Sequence, residues 1–381
     1  MFLIHSRCSL KYPMDEACRG GTARSRTELA PVLTRRRIFL AVYLICVLVF
    51  FEACIRLAVR NEQFILKLYS DDNERFWRLW FAQRARPDDK AVFYCHRYSP
   101  TRGWSLSPDL RDVHCMPTQP SKFLNTNAHG LRGRQEFAYA RSPDRKRVAV
   151  FGDSFTFGEE VSDHETYSAY LAEQFPQAEI MNFGVRGYGY DQMLLYLKEE
   201  GVRYRPDVVV LAFNKLDLAR DRLAFRDAAK PRFVLANGQL QLENTPVPRP
   251  QDVMAAEPFR LKMLDLISLI KTKTHGVEAR RQESERLAVA LLEEFDRTVR
   301  AIPARPVYFY MPVLDELNDS SPALLREEAL LQNLCDRLQS QCIQLRPTFR
   351  KSGQKLVTTG HWSPQEHLIA AQALGPWLFS K

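Results

Sequence analysis

The chain has 381 residues, 26% of them charged and 45% apolar, a globular balance with room for more than one domain that excludes a disordered or fibrous protein. Lys and Arg outnumber Asp and Glu by 54 to 45, a net charge of +9. A good part of the excess sits in residues 1–37, at Arg7, Lys11, Arg19, Arg24, Arg26, Arg35, Arg36 and Arg37, which is a membrane-topology pattern and not a nucleic-acid footprint.

Residues 1–37 lack apolar periodicity and read as a basic cytoplasmic tail, with Met14 a candidate later start. Residues 38–59 are almost continuously apolar, with only Glu52 and Arg56 charged. At about 1.5 Å of rise per residue this stretch just crosses a hydrocarbon core. Glu52 and Arg56 stand four apart on one helix face and can pair near the interface. The alternative, a buried core helix, does not require so long an uninterrupted apolar run. Arg35, Arg36 and Arg37 precede the segment, so the positive-inside rule predicts a cytoplasmic N-terminus and everything after Val59 outside the cytoplasm, in an inner-membrane protein with one span. No small-x-small cleavage pattern follows, which favours a retained signal anchor.

Of the 8 cysteines, Cys8 and Cys18 fall in the tail and Cys46 and Cys54 in the apolar segment. Cys95, Cys115, Cys335 and Cys342 are left for an oxidising compartment. Three pairings are open, and proximity in sequence favours Cys95 with Cys115 and Cys335 with Cys342. None has metal-ligand spacing, so no metal site or cofactor is expected.

Residues 60–144 read as a juxtamembrane helix followed by a lead-in. Asn61 to Arg86 carries Phe64, Phe76, Trp77, Trp80 and Phe81 at mixed helical spacing, which predicts an aromatic face at the lipid boundary. Pro87 to Ser142 is rich in Pro, Ser, Arg and Asn and includes the short apolar segment Ala91 to Tyr94. His129 and Arg132 in this lead-in read as turn and packing residues, with contact to substrate as the alternative.

From residue 145 to 381, apolar β-branched runs alternate with helical periodicity. The predicted strands are Val148–Phe151, Ala178–Phe183, Asp207–Phe213, Pro306–Met311 and Cys342–Leu345. This pattern predicts an α/β fold: a doubly wound, flavodoxin-like parallel sheet of about five strands flanked by helices. An insertion at 218–304 contains a predicted hairpin, Arg232 to Leu242, turned by Asn237-Gly238, and then charged helices.

The first of these strands ends in Gly152-Asp153-Ser154, so its carboxyl end delivers Ser154 to the crevice where open α/β sheets place their chemistry. With Phe157-Gly158, this stretch resembles the first signature block of the SGNH (GDSL) hydrolase superfamily. Gly103 to Pro108 and Asn125 to Gly133 resemble the lead-in of its membrane-anchored members. The resemblance implies that Ser154 is the nucleophile attacking an ester carbonyl. Asn182 to Gly189 resembles the second block, which implies that the Gly187 N–H donates to the oxyanion; glycine allows the close backbone approach and a positive φ.

In the third block the chain departs from the pattern. Phe213-Asn214-Lys215-Leu216-Asp217 has Asp217 at the family's aspartate and Leu216 at its asparagine, so Asn214 supplies the oxyanion amide only if the loop shifts by two residues. The stretch Thr358 to His367 resembles the last block and implies that His361 is the general base. Ser363, Pro364 and Glu366 have the spacing to start a final helix, with His361 on the loop before it, and His367 reads as packing.

Where anchored relatives carry the triad aspartate, two residues before the histidine, this chain has Thr359; at the alternative position, three before, it has Thr358. A threonine hydroxyl orients an imidazole but gives no Coulombic support to its charged form. Asp217 or another recruited carboxylate is the alternative orienter of His361. The resemblance as a whole implies a serine esterase acting on ester-linked acyl groups, on a cell-envelope glycan or a small ester. An O-acetyltransferase on the same fold, a catalytically weakened glycan-binding relative and a structural envelope protein stay open.

Overall fold

The structure, a computed structural model, describes residues 29–84, 95–115, 122–274, 276–319, 321–352 and 360–379. Most of the predicted tail, the segment Ala91 to Tyr94, and both Thr358 and Thr359 lie outside the described residues. The chain divides into two units, Met1–Cys54 and Ile55–Lys381. A helix, Leu29–Ala58, starts in the first. Its stretch Thr34–Ala58 has a mean hydropathy of 2.8 and none of that window is buried. Phe39, Ile45, Val49 and Phe50 are all exposed, whereas a core helix of a soluble domain buries such residues. Twenty-five helical residues rise about 37 Å, enough to span a hydrocarbon core of about 30 Å.

The second unit is organised by five parallel strands: β1 (Lys146–Gly152), β2 (Ala178–Gly184), β3 (Val208–Phe213), β4 (Arg305–Tyr310) and β5 (Gln341–Gln344). They lie in the order β2-β1-β3-β4-β5, the flavodoxin-like arrangement whose crevice opens beside the first strand. All five predicted strands are present, each within two residues of its expected limits.

Alternation along the strands divides the core. Ala149 and Phe151 face the same way as Met181, Leu211 and Tyr308, and pack under the helices Tyr190–Glu199, Val277–Arg300 and Arg326–Leu338. Val148 and Val150 face the other way with Ile180, Val210 and Phe309, under the helices Tyr167–Gln174 and Pro364–Phe379. Burial on both faces explains why the strands read as continuous apolar runs.

Residues 61–86 differ from expectation. Their described part forms two helices, Glu62–Lys67 and Glu74–Arg84, and most of the expected aromatic face is turned into the protein. Phe76, Trp77, Leu79 and Phe81 are buried against Leu223, Phe225, Val247 and Leu269. Those partners come from the insertion, which offers an apolar surface that sequence periodicity alone cannot distinguish from a bilayer. Arg56 donates to the carbonyls of Pro258 and Arg260 at 3.2 and 2.8 Å, again toward the insertion. The expected hairpin pairs Arg232–Ala236 with Gln239–Glu243 around Asn237-Gly238. Cys95 is joined to Cys115 and Cys335 to Cys342, with Cα separations of 5.8 and 6.0 Å, both within the ordinary bridging range.

Candidate active site

Three loops leave the sheet side by side because their strands end in register. Gly152 pairs with Gly184 across β1 and β2, and Phe151 with Leu211 across β1 and β3. Ser154 therefore follows β1 at the level where Arg186-Gly187 follows β2 and Asn214 follows β3. The first turn sits directly on the strand ends. A Cβ at Gly152 would come within 2.0 Å of Thr156 Oγ1, and one at Gly184 within 2.2 Å of Phe157 N. Asp153 caps the short helix Ser154–Phe157 by accepting from Phe155 N at 2.9 Å, and Gly158, at φ 80°, ends it.

Ser154 Oγ lies 2.9 Å from Nε2 of His361, a residue 207 positions away. The imidazole is fixed by the residues that follow it in sequence and by the serine turn. Ser363 and Glu366 form the expected cap, the Ser363 N–H donating to Glu366 Oε2 at 2.8 Å. Trp362 is buried, donates from Nε1 to Pro312 O at 3.1 Å, and packs edge-on to Phe155 with centroids 5.8 Å apart. Phe155 also lies against the His361 ring, centroids 5.0 Å apart. The residue next to the serine thus holds the histidine loop against the serine turn. His367 is buried, its Nδ1 accepts from Tyr167 N at 3.2 Å, and burial together with the positive Arg132 pushes its pKa down to about 3.

Two carboxyls that the sequence reading did not single out flank His361. Glu159 Oε2 is 3.5 Å from Nε2, and Glu160 Oε1 is 3.6 Å from Nδ1. Glu159 is also ion-paired with Arg186 of the second loop. Burial lowers the His361 pKa, and Glu160, Glu159 and Asp153 more than offset it, so the imidazole ends above its ordinary value. Their loop is tied down by Arg132, which donates to the carbonyls of Phe157 (2.6 Å), Gly158 (2.9 Å) and Val161 (2.8 Å). The sequence held a signal for this: an acid pair directly follows Gly158 while no acid precedes His361 at the family's spacing.

Gly187 has φ 75°. A Cβ there would come within 2.5 Å of Arg226 Nη1 and 2.8 Å of Asp227 Oδ2, two flexible side-chain tips that would have to shift, so it is the positive φ that favours glycine. Asn214 caps the helix Lys215–Arg220, its Oδ1 accepting from Leu216 N at 2.9 Å. Its buried Nδ2 has no partner among the described residues, leaving an amide donor unspent at the end of β3. Leu216 packs on the apolar core.

Asp217 is buried and ion-paired with Arg220, whose Nη1 also meets Asp153 Oδ2 at 3.0 Å and Tyr188 O at 3.1 Å. Arg220 thereby ties the three loops together from beneath, and Asp217 belongs to that tie. Thr359 lies outside the described residues, so its relation to the imidazole is not described.

A serine hydroxyl held by an imidazole above three converging loops is the arrangement for acyl transfer through a covalent serine. The model of the GDSL-like lipase/acylhydrolase family matches residues 150–365, and the chain belongs to that family. Solved structures align with the chain at low identity. Axe2, an acetylxylan esterase from Geobacillus stearothermophilus, is 15% identical over 62% of this chain and 95% of its own, with a TM-score of 0.38. TesA is 11% identical over 61% and 98%, at 0.37. A lipolytic protein of the G-D-S-L family from Veillonella parvula is 11% identical over 60% and 96%, at 0.38. A comparison with curated proteins gives no match.

Proposed function

We propose that the protein is a membrane-anchored serine esterase that removes ester-linked acyl groups from a cell-envelope glycan. The observation that carries the reading is the 2.9 Å contact between Ser154 Oγ and His361 Nε2. In the proposed reaction, neutral His361 takes the Ser154 proton as the oxygen attacks the acyl carbonyl. The oxyanion is met by the Gly187 N–H, with the unspent Asn214 amide as second donor. The imidazolium returns the proton to the departing alcohol, and a water, deprotonated the same way, releases the acyl group from Ser154.

The choice of glycan rests on location. Three arginines precede the apolar helix, which by the positive-inside rule supports an esterase domain outside the cytoplasm, where acylated envelope sugars would be a polymeric ester substrate. Transfer to a sugar hydroxyl uses the same acyl-serine and differs only in what resolves it.

A fluorophosphonate probe applied to the full chain in detergent tests the reading. Labelling in the wild type and none in Ser154→Ala is the expected result, and acetate release from acetylated polysaccharide follows it. An unlabelled wild type at full folding would favour the glycan-binding alternative. Acetyl appearing on an added sugar in place of free acetate would favour transfer.

A further inference from the structure

We propose that Glu160 is the carboxylate that positions His361, supplied from the loop of the nucleophile itself in place of the acid missing ahead of the histidine. The inference rests on the esterase reading above and deepens it. Its first ground is tautomer logic. For Nε2 to accept the Ser154 proton, the neutral ring must carry its hydrogen on Nδ1, and that N–H needs an acceptor. Nδ1 is buried, and Glu160 Oε1 stands 3.6 Å from it. This is a charge contact slightly longer than a hydrogen bond, the kind that shortens when substrate closes the site.

Glu159 does not fill the same role. Its Oε2 approaches Nε2, the nitrogen committed to Ser154, and its other oxygen is taken by Arg186. Asp217 is taken by Arg220. Among the described residues, the charged and titratable groups facing the imidazole are thus Glu160, Glu159 and Asp153 on the acid side, with His367 and Arg132 beyond.

Backbone geometry is the second ground. Glu160 sits at φ 73°, a left-handed conformation that a glutamate adopts only at a cost. The conformation is imposed from outside, because Arg132 holds the carbonyls on either side, at Gly158 and Val161, and Arg132 is itself anchored on Asp163 at 2.9 Å. A strained residue whose surroundings fix it, with its carboxyl turned to the imidazole, is the pattern expected of a positioning group.

During attack the Ser154 O–C bond forms, the hydroxyl proton moves to Nε2, and the ester C=O electron pair moves onto oxygen. Glu160 stays ionised throughout and pairs with the imidazolium. On collapse the oxyanion pair re-forms the C=O, the bond to the leaving alcohol oxygen breaks, that oxygen takes the proton from Nε2, and the ring returns to the same tautomer.

The test uses the full chain in detergent. Glu160→Gln keeps the shape and removes the charge. Its kcat toward p-nitrophenyl acetate should fall by on the order of 10³–10⁴ with KM little changed, and the acid limb of its pH profile should move to lower pH. Glu160→Gly relieves the left-handed strain, so it should lose activity while melting at or above the wild-type temperature, which a structural role would not allow. Wild-type kcat and an unmoved acid limb in Glu160→Gln would overturn the proposal. If the wild type neither labels nor turns over, the esterase reading fails, and NMR titration of the His361 ring still decides this one. A pKa lower in Glu160→Gln than in wild type supports it, and an unchanged pKa refutes it.

Discussion

Arg132, itself buried, meets the half-buried Asp163 at 2.9 Å, an ion pair between the lead-in and the far end of the loop that follows the serine turn. With its remaining donors on loop carbonyls, this guanidinium decides how the backbone runs from Phe157 to Asp163 and hence where Glu159 and Glu160 point. Removing it leaves Asp163 with only its bonds from Asn125 and strands the loop carbonyls of Phe157, Gly158 and Val161 at once. Arg132→Met is expected to cost about 3–5 kcal/mol of stability and to lower kcat more than it raises KM, although the side chain touches no reacting atom. Urea denaturation paired with esterase kinetics checks this; full stability with full activity would show that the loop holds its course unaided.

The sheet was legible because β1 to β4 are buried on both faces and so are written as unbroken apolar runs. Ser154 and His361 were legible because each stands inside a motif. Glu160 was only half legible: the missing acid at Thr358 and Thr359 and the acid pair after Gly158 could be read, but its approach to Nδ1 depends on a loop that Arg132 holds from elsewhere in the chain. Phe76 and Trp77 were misplaced at the lipid for a related reason: an apolar surface built from Leu223 to Leu269 makes the same demand on sequence as a bilayer does.

The pH dependence has a definite sign. His361 acts as a base only when neutral, and its pKa is raised above the ordinary 6.5, the carboxyls of Glu160, Glu159 and Asp153 outweighing burial. Below that pKa kcat/KM should fall about tenfold per pH unit, with the midpoint of the acid limb above 6.5. The linkage runs the other way for folding: a raised pKa adds stability that is fully present below the unfolded value and is lost as pH rises through the folded one. The pH of greatest stability contributed by this group therefore lies on the acid side of the activity plateau. A kcat/KM profile with its acid midpoint at or below 6.5 would contradict this assignment of the base.

Gly187 separates the oxyanion role from simple turn formation. Gly187→Ala pushes the Arg226 and Asp227 side-chain tips aside and adopts a left-handed φ that costs about 1–2 kcal/mol for other residues. If its N–H meets the oxyanion, kcat should drop by about 10²–10³, beyond what the modest loss in melting temperature explains. Asn214→Asp offers the companion measurement, since it keeps the Oδ1 cap on Leu216 N and replaces the amide donor with a carboxylate oxygen. It should lower kcat by a similar factor if the unspent Nδ2 is the second donor.

Thr359 gives the sharpest check on how the missing acid is replaced. It stands two residues before His361, where anchored relatives carry aspartate, so Thr359→Asp puts a carboxylate back at the family's position. If Glu160 already answers Nδ1 in the wild type, as proposed, a second negative charge serving the same proton adds desolvation and repulsion with little new stabilisation. Thr359→Asp alone should therefore leave kcat within about threefold of wild type or lower it. In the Glu160→Gln background the imidazolium lacks its partner, and the same substitution should recover on the order of 10–100-fold of the lost kcat. The two effects are non-additive because both residues serve one proton. A double-mutant cycle on kcat for p-nitrophenyl acetate measures the coupling directly. Equal gains from Thr359→Asp in both backgrounds would mean that Glu160 and the new aspartate act independently, and that the imidazole is oriented by something other than Glu160.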